Sequence, residues 1–404
     1  MKCPTSSRAT FAFAAILALP FALAVFGCGS RPSGQTSAAA STPAVNAVVV
    51  GHDQPAPPER KIDFKIGIMT GTVSQGEDEF RAGQMVIRKY GADHVKHVTY
   101  PDNFMNEQET VISQLVGLAD DPAVKVIVVG QAIPGSVAAL RKIREKRPDI
   151  KIAFISAHED PDIVNREADI SIQPDELARG RTIVGVAKHM GATDLIHYSF
   201  PRHMSQELLA RRRDIMKAEA EKQGIHFHFV TAPDPMGEGG LSATQQFVTE
   251  DVPRELKTYG AKTAFFSTNC GMMDPMIKSV VTNGGYIPEQ CCPSPTHGYP
   301  TALGIAIPAD KAGDMAYISA ENRRVIAEHH MTGHFATWPV PEVMLSIRAM
   351  TDLLVDAQEG KANYKDPAAV KTYMERLAGV PITLTKYDEK KGNSYLFLVS
   401  NIYY

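Results

Sequence analysis

Basic residues are not in excess in this 404-residue chain: 42 Lys and Arg stand against 45 Asp and Glu, a formal charge of -3. A nucleic-acid partner would ordinarily leave a basic footprint, so that class is set aside. Cysteine is scarce, with five in all. Cys3 and Cys28 lie near the N-terminus, and the remaining Cys270, Cys291 and Cys292 are too few for a disulfide framework. The apolar segment from Phe11 to Phe26 is interrupted by Pro20 and falls short of the ~20 residues that a membrane-spanning helix needs. The loop from Thr70 to Glu77 has neither the P-loop spacing nor that of a dinucleotide site. No nucleophile-elbow pattern and no ordered Ser-His-Asp set argues for catalysis. The cysteines, His203 and His297 show no C-x-x-C or H-x-x-x-H spacing, so zinc is not expected. Neither a cofactor nor an enzymatic activity is expected.

What is present begins with Ala22-Leu23-Ala24-Val25-Phe26-Gly27-Cys28, preceded by the positive residues Lys2 and Arg8. A small residue and then Cys at the end of such a run reads as a lipoprotein signal peptide cut after Gly27, with Cys28 lipidated. The competing reading is an ordinary secretory signal that contains Cys28, and Phe26, larger than is usual two positions before the Cys, keeps it open. Loss of residues 1–27 takes Lys2 and Arg8 and no acid, so the charge of -3 becomes -5. Residues 28–60 are rich in Ser, Pro, Ala and Gly without hydrophobic periodicity, the composition of a flexible tether. Together these features predict the cell envelope, with the folded part lipid-anchored to a membrane and facing periplasm or cell exterior. Roughly 340 residues remain beyond the tether, more than one core usually holds, so two lobes are expected.

From Lys61 onward short apolar runs alternate with amphipathic segments. Phe64–Met69, His94–Thr99, Val124–Val129 and Ile150–Ile155 read as strands separated by helices, and the rhythm restarts with Asp194–Tyr198, Ile225–Val230, Lys262–Ser267 and Tyr286–Pro288. That spacing predicts right-handed βαβ units and an α/β fold of two doubly wound parallel-sheet lobes of similar size. The expected divisions are 61–190 for lobe 1, 191–300 for lobe 2, and 301–404 for hinge crossover segments that complete both. Within the last part, Ala302–Ile307 and Tyr395–Ser400 read as strands, and Gly313–Glu328 and Glu342–Gln358 as helices.

This order, with Tyr198–Ser205, Phe265–Cys270 and Cys291–Pro300, resembles a bacterial lipoprotein family of unknown function within the periplasmic-binding-protein type-one-like superfamily. The resemblance covers Lys61 to Tyr404. It implies two hinged lobes that close on a small polar solute and deliver it to the permease subunits of an ABC importer, as a monomer. The alternative it leaves is a periplasmic ligand sensor that serves a signalling receptor.

Ligands of open α/β sheets bind outside the carboxyl ends of the strands, so the residues that follow each strand are the candidates. In lobe 1 these are Thr72, Ser74, Gln75, Gln131 and His158; Ser74 with Glu77 also reads as a helix capping box. In lobe 2 they are Arg202, His203, Asp234, Asn269 and His297. The Arg202 guanidinium suits a carboxylate, phosphate or diol, or a structural pairing with Asp160 or Asp234. Ser205 and Asn269 also read as helix caps. Cys270, Cys291 and Cys292 follow neighbouring strands, where a Cys270 bridge to either partner and buried free thiols are both open. Phe200, Tyr299 and Trp338 suit a stacking role or plain burial. The ligand class is then a sugar, a nucleoside or a small carboxylate.

Overall fold

Val124-Lys125-Val126-Ile127-Val128-Val129 is apolar at nearly every position, the pattern of a strand covered on both faces, and it lies at the centre of a parallel sheet. The computed structural model describes residues 59–308 and 311–404. The signal segment, Cys28 and the tether as far as residue 58 lie outside them. In chain order the first group is β1 (Lys65–Thr70), α1 (Val73–Tyr90), β2 (Val95–Thr99), α2 (Gln108–Ala119), β3 (Val124–Val129), α3 (Ser136–Lys146), β4 (Lys151–Ile155), α4 (Pro161–Glu167), β5 (Ile170–Pro174) and α5 (Glu176–Met190). The second is β6 (Asp194–Ser199), α6 (Pro201–Met204), α7 (Glu207–Gln223), β7 (His226–Thr231), α8 (Gly240–Tyr259), β8 (Thr263–Ser267), a 3-10 turn (Cys270–Met272), α9 (Met273–Asn283) and α10 (Tyr299–Ala302). The last is α11 (Met315–Glu328), β9 (Ala336–Thr337), α12 (Glu342–Gln358), α13 (Pro367–Ala378), β10 (Ile382–Lys386), β11 (Ser394–Val399) and β12 (Ile402–Tyr403).

Seven strands form the first sheet in the order β10-β11-β5-β4-β3-β1-β2, parallel throughout except for the antiparallel edge pair β10 and β11. Side chains alternate across it as the strand period requires. Val126 and Val128 enter the core beneath α1 and α12, while Ile127 and Val129 enter the core beneath α2 and α3. Helix α12 is buried on nearly all sides, from Glu342 to Val355, and is the keel of this lobe.

The second sheet has three parallel strands, β7-β6-β8. Ile183, Val184 and Met216 from α5 and α7 pack on one face, and Val248, Val252, Met276 and Ile277 from α8 and α9 on the other. The chain passes between the sheets three times: from β5 through α5 to β6, from β9 to α12, and from β11 to β12.

The two sheets therefore differ in size. Tyr286-Ile287-Pro288 makes only single bridges, to Ala264 and Phe335, because Pro288 has no N–H to continue the ladder. Strands β10 and β11 join the first sheet. The expected strand at Ala302–Ile307 is instead the end of the short helix α10 followed by irregular chain, with Pro300 at the start of the helix and Gly304 in the left-handed region.

Candidate functional site

A crevice opens at the point where strand order reverses in a doubly wound sheet. In the first sheet β1 lies between β2 and β3, so the reversal falls between the loops that follow β1 and β3. Glu79, on the buried stripe of α1 with Ala82, Val86 and Tyr90, fills that point. Its Oε1 accepts from Gly71 N at 2.8 Å, and its Oε2 accepts from Gln131 Nε2 at 2.8 Å and from the Tyr100 hydroxyl at 3.3 Å. Burial pushes the Glu79 carboxyl up to about 7 against those donors. Only glycine fits at 130, because a Cβ there would lie 2.3 Å from Glu79 Oε1.

Helix α12 brings a second carboxyl of the same kind, Glu342, to the end of β4. Ser156 Oγ donates to Glu342 Oε1 at 2.8 Å, and burial again raises Glu342 to about 7. Gln131, Ala132 and Ser156, which follow β3 and β4, all have positive φ (52°, 22° and 45°). Such backbone strain in non-glycine residues costs on the order of 1–3 kcal/mol each and collects at functional sites.

In the second sheet β6 lies between β7 and β8, so the reversal falls between Phe200–His203 and Thr268–Cys270. His203 Nδ1 lies 3.1 Å from Thr268 Oγ1, which lies 2.7 Å from Ser199 Oγ. Burial, and secondarily the Arg202 charge, drives His203 down to about 3 and His158 to about 4, so both are neutral imidazoles at physiological pH. His158 follows β4 in lobe 1, whereas Arg202 and His203 follow β6 in lobe 2. The lobes touch directly: Asp78 of α1 accepts from Ser294 Oγ at 2.7 Å and from Thr296 Oγ1 at 2.7 and 2.9 Å.

The segment Glu289–His297, which carries Ser294 and Thr296 to Asp78, is itself braced. Arg179, fully buried, donates through Nε to Glu289 at 2.8 Å and through Nη2 to the carbonyls of Gln290 and Cys291 at 2.7 and 3.0 Å. Gln290 Nε2 ties the carbonyls of Ser294 and His297 at 2.8 and 2.6 Å. Cys270 Sγ lies 3.2 Å from Cys291 Sγ and 3.3 Å from Cys292 Sγ, and all three are free thiols. His297 Nδ1 donates to the Cys292 carbonyl at 2.9 Å.

Gln131 bonds Glu79, His203 lies beside Thr268 and His297 beside Cys292, while several other candidates bond local partners. Thr72 and Ser74 both donate to the Asp102 carboxylate, and Gln75 donates to the Asp102 carbonyl. Thr72, not Ser74, caps α1, accepting from Gln75 N. Arg202 gives Nε and Nη2 to Asp234 at 2.9 and 2.8 Å, the structural pairing that the sequence also allowed. Asn269 Oδ1 accepts from Gly271 N and acts as a cap. Ser205 ends α6 and does not cap α7, which Gln206 enters without a side-chain bond. Phe200, Tyr299 and Trp338 are core side chains: the Tyr299 hydroxyl donates to Ala336 O, and Trp338 Nε1 to Glu289. Two surface recesses, one lined by Ala157, Ser171 and Tyr395 and another by Lys61, Phe64 and Gln358, gather no comparable set of groups.

Residues 64–336 match the family described as protein of unknown function (DUF3798). The chain belongs to the DUF3798 family. Two uncharacterized proteins of Treponema pallidum (strain Nichols) are related to it. One is 41% identical over 181 residues, spanning 43% of this chain and 82% of the relative; the other is 35% identical over 173 residues, spanning 43% and 80%. Among solved structures, a candidate transcriptional regulator from Clostridium difficile 630 superposes with a TM-score of 0.70 at 24% identity, over 85% of this chain and 99% of the other. The substrate-binding protein of a sugar ABC transport system from Bordetella parapertussis 12822 superposes with a TM-score of 0.53 at 13% identity, over 87% and 92%. At such identities the likeness speaks of fold: this DUF3798 chain has the periplasmic-binding-protein type-one-like architecture. No helix among the described residues is long and apolar enough to cross a membrane.

Proposed function

We propose that the chain is a non-catalytic solute-binding protein, lipid-anchored through Cys28, that captures a small polar solute between its lobes for an ABC importer. The observation that carries this reading is the bonding of Asp78 in lobe 1 to Ser294 and Thr296 in lobe 2, from which we infer a crevice between the reversal points of the two sheets that would draw on Gln131, Ser156, His158 and His203, with Glu79 and Glu342 buried behind. Such a crevice is where a doubly wound fold takes its ligand, and the Asp78 contacts to Ser294 and Thr296 are the kind that a hinged closure makes. Two carboxyls with values near 7 and two neutral imidazoles offer hydrogen bonds with little fixed charge. Because Asp234 already holds Arg202, a neutral hydroxyl- or amide-bearing solute of the sugar or nucleoside class suits the wall better than a carboxylate. A tether of about thirty residues would let the receptor sample solute close to a permease.

The test is thermal unfolding of the Cys28→Ser chain against a library of sugars, nucleosides and small carboxylates. A true ligand at 100 times its Kd adds about 2.7 kcal/mol, a clear rise in Tm. Stabilisation by a neutral member is expected; no response from any member, together with no small molecule found by mass spectrometry in native preparations, rejects the reading. Pull-down of permease subunits rather than a receptor separates import from sensing.

A further inference from the structure

Beside the Ser294 and Thr296 contacts, lobe 2 carries a second kind of chemistry that hydrogen-bonding recognition of a solute does not use. Cys270, Cys291 and His297 come from two chain segments, and one donor atom of each lies within 4.8 Å of the donors of the other two. Cys292 Sγ, 3.3 Å from Cys270 Sγ, is the next donor at hand. We propose that Cys270, Cys291 and His297, with Cys292 as the neighbouring fourth donor, form a binding site for a thiophilic divalent cation of the zinc class.

Three features of the surroundings favour a metal over an ordinary packed core. The first is the histidine: Nδ1 bonds the Cys292 carbonyl at 2.9 Å, the usual backbone support behind a ligating imidazole, while Nε2 has only a long 3.4 Å contact, to the Cys270 carbonyl, which a bound cation would displace. The second is rigidity, because Arg179 and Gln290 hold the carbonyls of Gln290, Cys291, Ser294 and His297 and so fix the loop that carries the donors. The third is stoichiometry. Cys270 Sγ is almost equally close to Cys291 Sγ and Cys292 Sγ, so a disulfide would use one neighbour and strand the other, whereas a cation can take all three.

Burial and the mutual proximity of the sulfurs, with a contribution from Glu342, hold the thiols protonated. Each Cys that binds therefore releases its proton as its sulfur bonds to the cation, and no oxidant is involved. Zinc–sulfur bonds of about 2.3 Å in tetrahedral geometry need sulfurs about 3.8 Å apart, so the thiols would open by about half an ångström. Sequence spacing hides such a site: Cys270 is 21 residues from Cys291, and Cys291 is six from His297.

The test uses the full chain with Cys3→Ser and Cys28→Ser, so that only the three clustered thiols remain, purified under reductant and offered Zn2+ or Co2+ alone. We expect one Zn2+ per chain by elemental analysis. Co2+ should give the near-ultraviolet thiolate charge-transfer band and intense visible bands of a tetrahedral site. Cys270→Ser and His297→Ala should each weaken Zn2+ binding by more than about 100-fold, beyond the loss expected for a merely supporting group, while far-ultraviolet circular dichroism stays unchanged. Should both variants misfold, protection of the three thiols in the parent chain from alkylation by Zn2+ decides the matter, with at least tenfold slowing expected. Alkylation at one rate with and without Zn2+, a cobalt spectrum without charge transfer, or a Cys270 disulfide that persists under reductant would each overturn the proposal.

Discussion

Burial rather than a partner charge sets the protonation of Glu79 and Glu342, since desolvation is the largest influence on both and neither is hydrogen-bonded to a cation. The sign of the resulting pH effect follows from linkage. A carboxyl whose folded value is about 7 rather than 4.5 binds more protons folded than unfolded between those values, so its contribution to stability falls as pH rises through that window. At 1.36 kcal/mol per pKa unit the full effect is on the order of 3 kcal/mol per group. His158 and His203, lowered to about 4 and 3, act oppositely, and their contribution is lost as pH falls below 6.5. The net profile is therefore shallow, and a variant isolates the carboxyl. Glu79→Gln mimics the protonated form, so the variant should gain on the parent by about 2–3 kcal/mol between pH 5 and pH 8 in urea titrations; a difference that does not change with pH would refute this. Glu79 was legible only in part. A carboxylate in a helix reads as solvent face, yet Glu79 stands four residues before Gly83 and seven before Val86 on the apolar stripe of α1, and that position was the available signal. Arg202 was open between two roles, and of the partners the sequence offered it is Asp234, 32 residues away, that it bonds.

At the scale of elements, what the sequence reveals depends on how each element meets the core. Parallel strands such as β3 and β4 are buried on both faces and read as continuous apolar runs, so their order was plain. Strand β5, Ile170-Ser171-Ile172-Gln173-Pro174, alternates with polar residues and so, like α5 behind it, does not stand out as an apolar run. Strand β10 alternates likewise on an exposed edge and went unread. The consequence for α5 is mechanical, because it carries Arg179 from the crossover into the back of the Glu289–His297 segment. Arg179→Met should destabilise the fold by about 3–5 kcal/mol, since it leaves the buried Glu289 without its cation. The same substitution should raise amide exchange over Gln290–His297. Loss of stability without faster exchange there would mean that Arg179 supports the fold generally and not this wall. Helix α12 offers a calibration: Leu353→Ala, in the core far from the crevice residues, should cost about 2–5 kcal/mol and leave that exchange unaltered.

Across the whole molecule, the two lobes meet through polar contacts that can be exchanged for water and through Met236, which packs on the lobe-1 core, and an interface of this mixed kind favours motion over permanent closure. Asp78 is central to the polar contacts. It is the only carboxylate that both Ser294 and Thr296 reach among the described residues, and it comes from the helix that also carries Glu79. Hydrogen bonds to a charged acceptor contribute roughly 1.5–3 kcal/mol, but in the open form water satisfies the same groups, so the net bias toward closure is smaller than their sum. A loss of about 1.4 kcal/mol is already tenfold in the closed-to-open ratio. Asp78→Ala should therefore increase the radius of gyration in small-angle scattering and weaken solute binding about tenfold, because binding competence requires the closed form. Asp78→Asn keeps one acceptor and should fall between. The scattering arm needs no knowledge of the solute, and an unchanged curve for both variants would show that the Asp78 contacts do not govern closure, leaving α5, the β9-to-α12 link and the β11-to-β12 link to set the angle between the lobes.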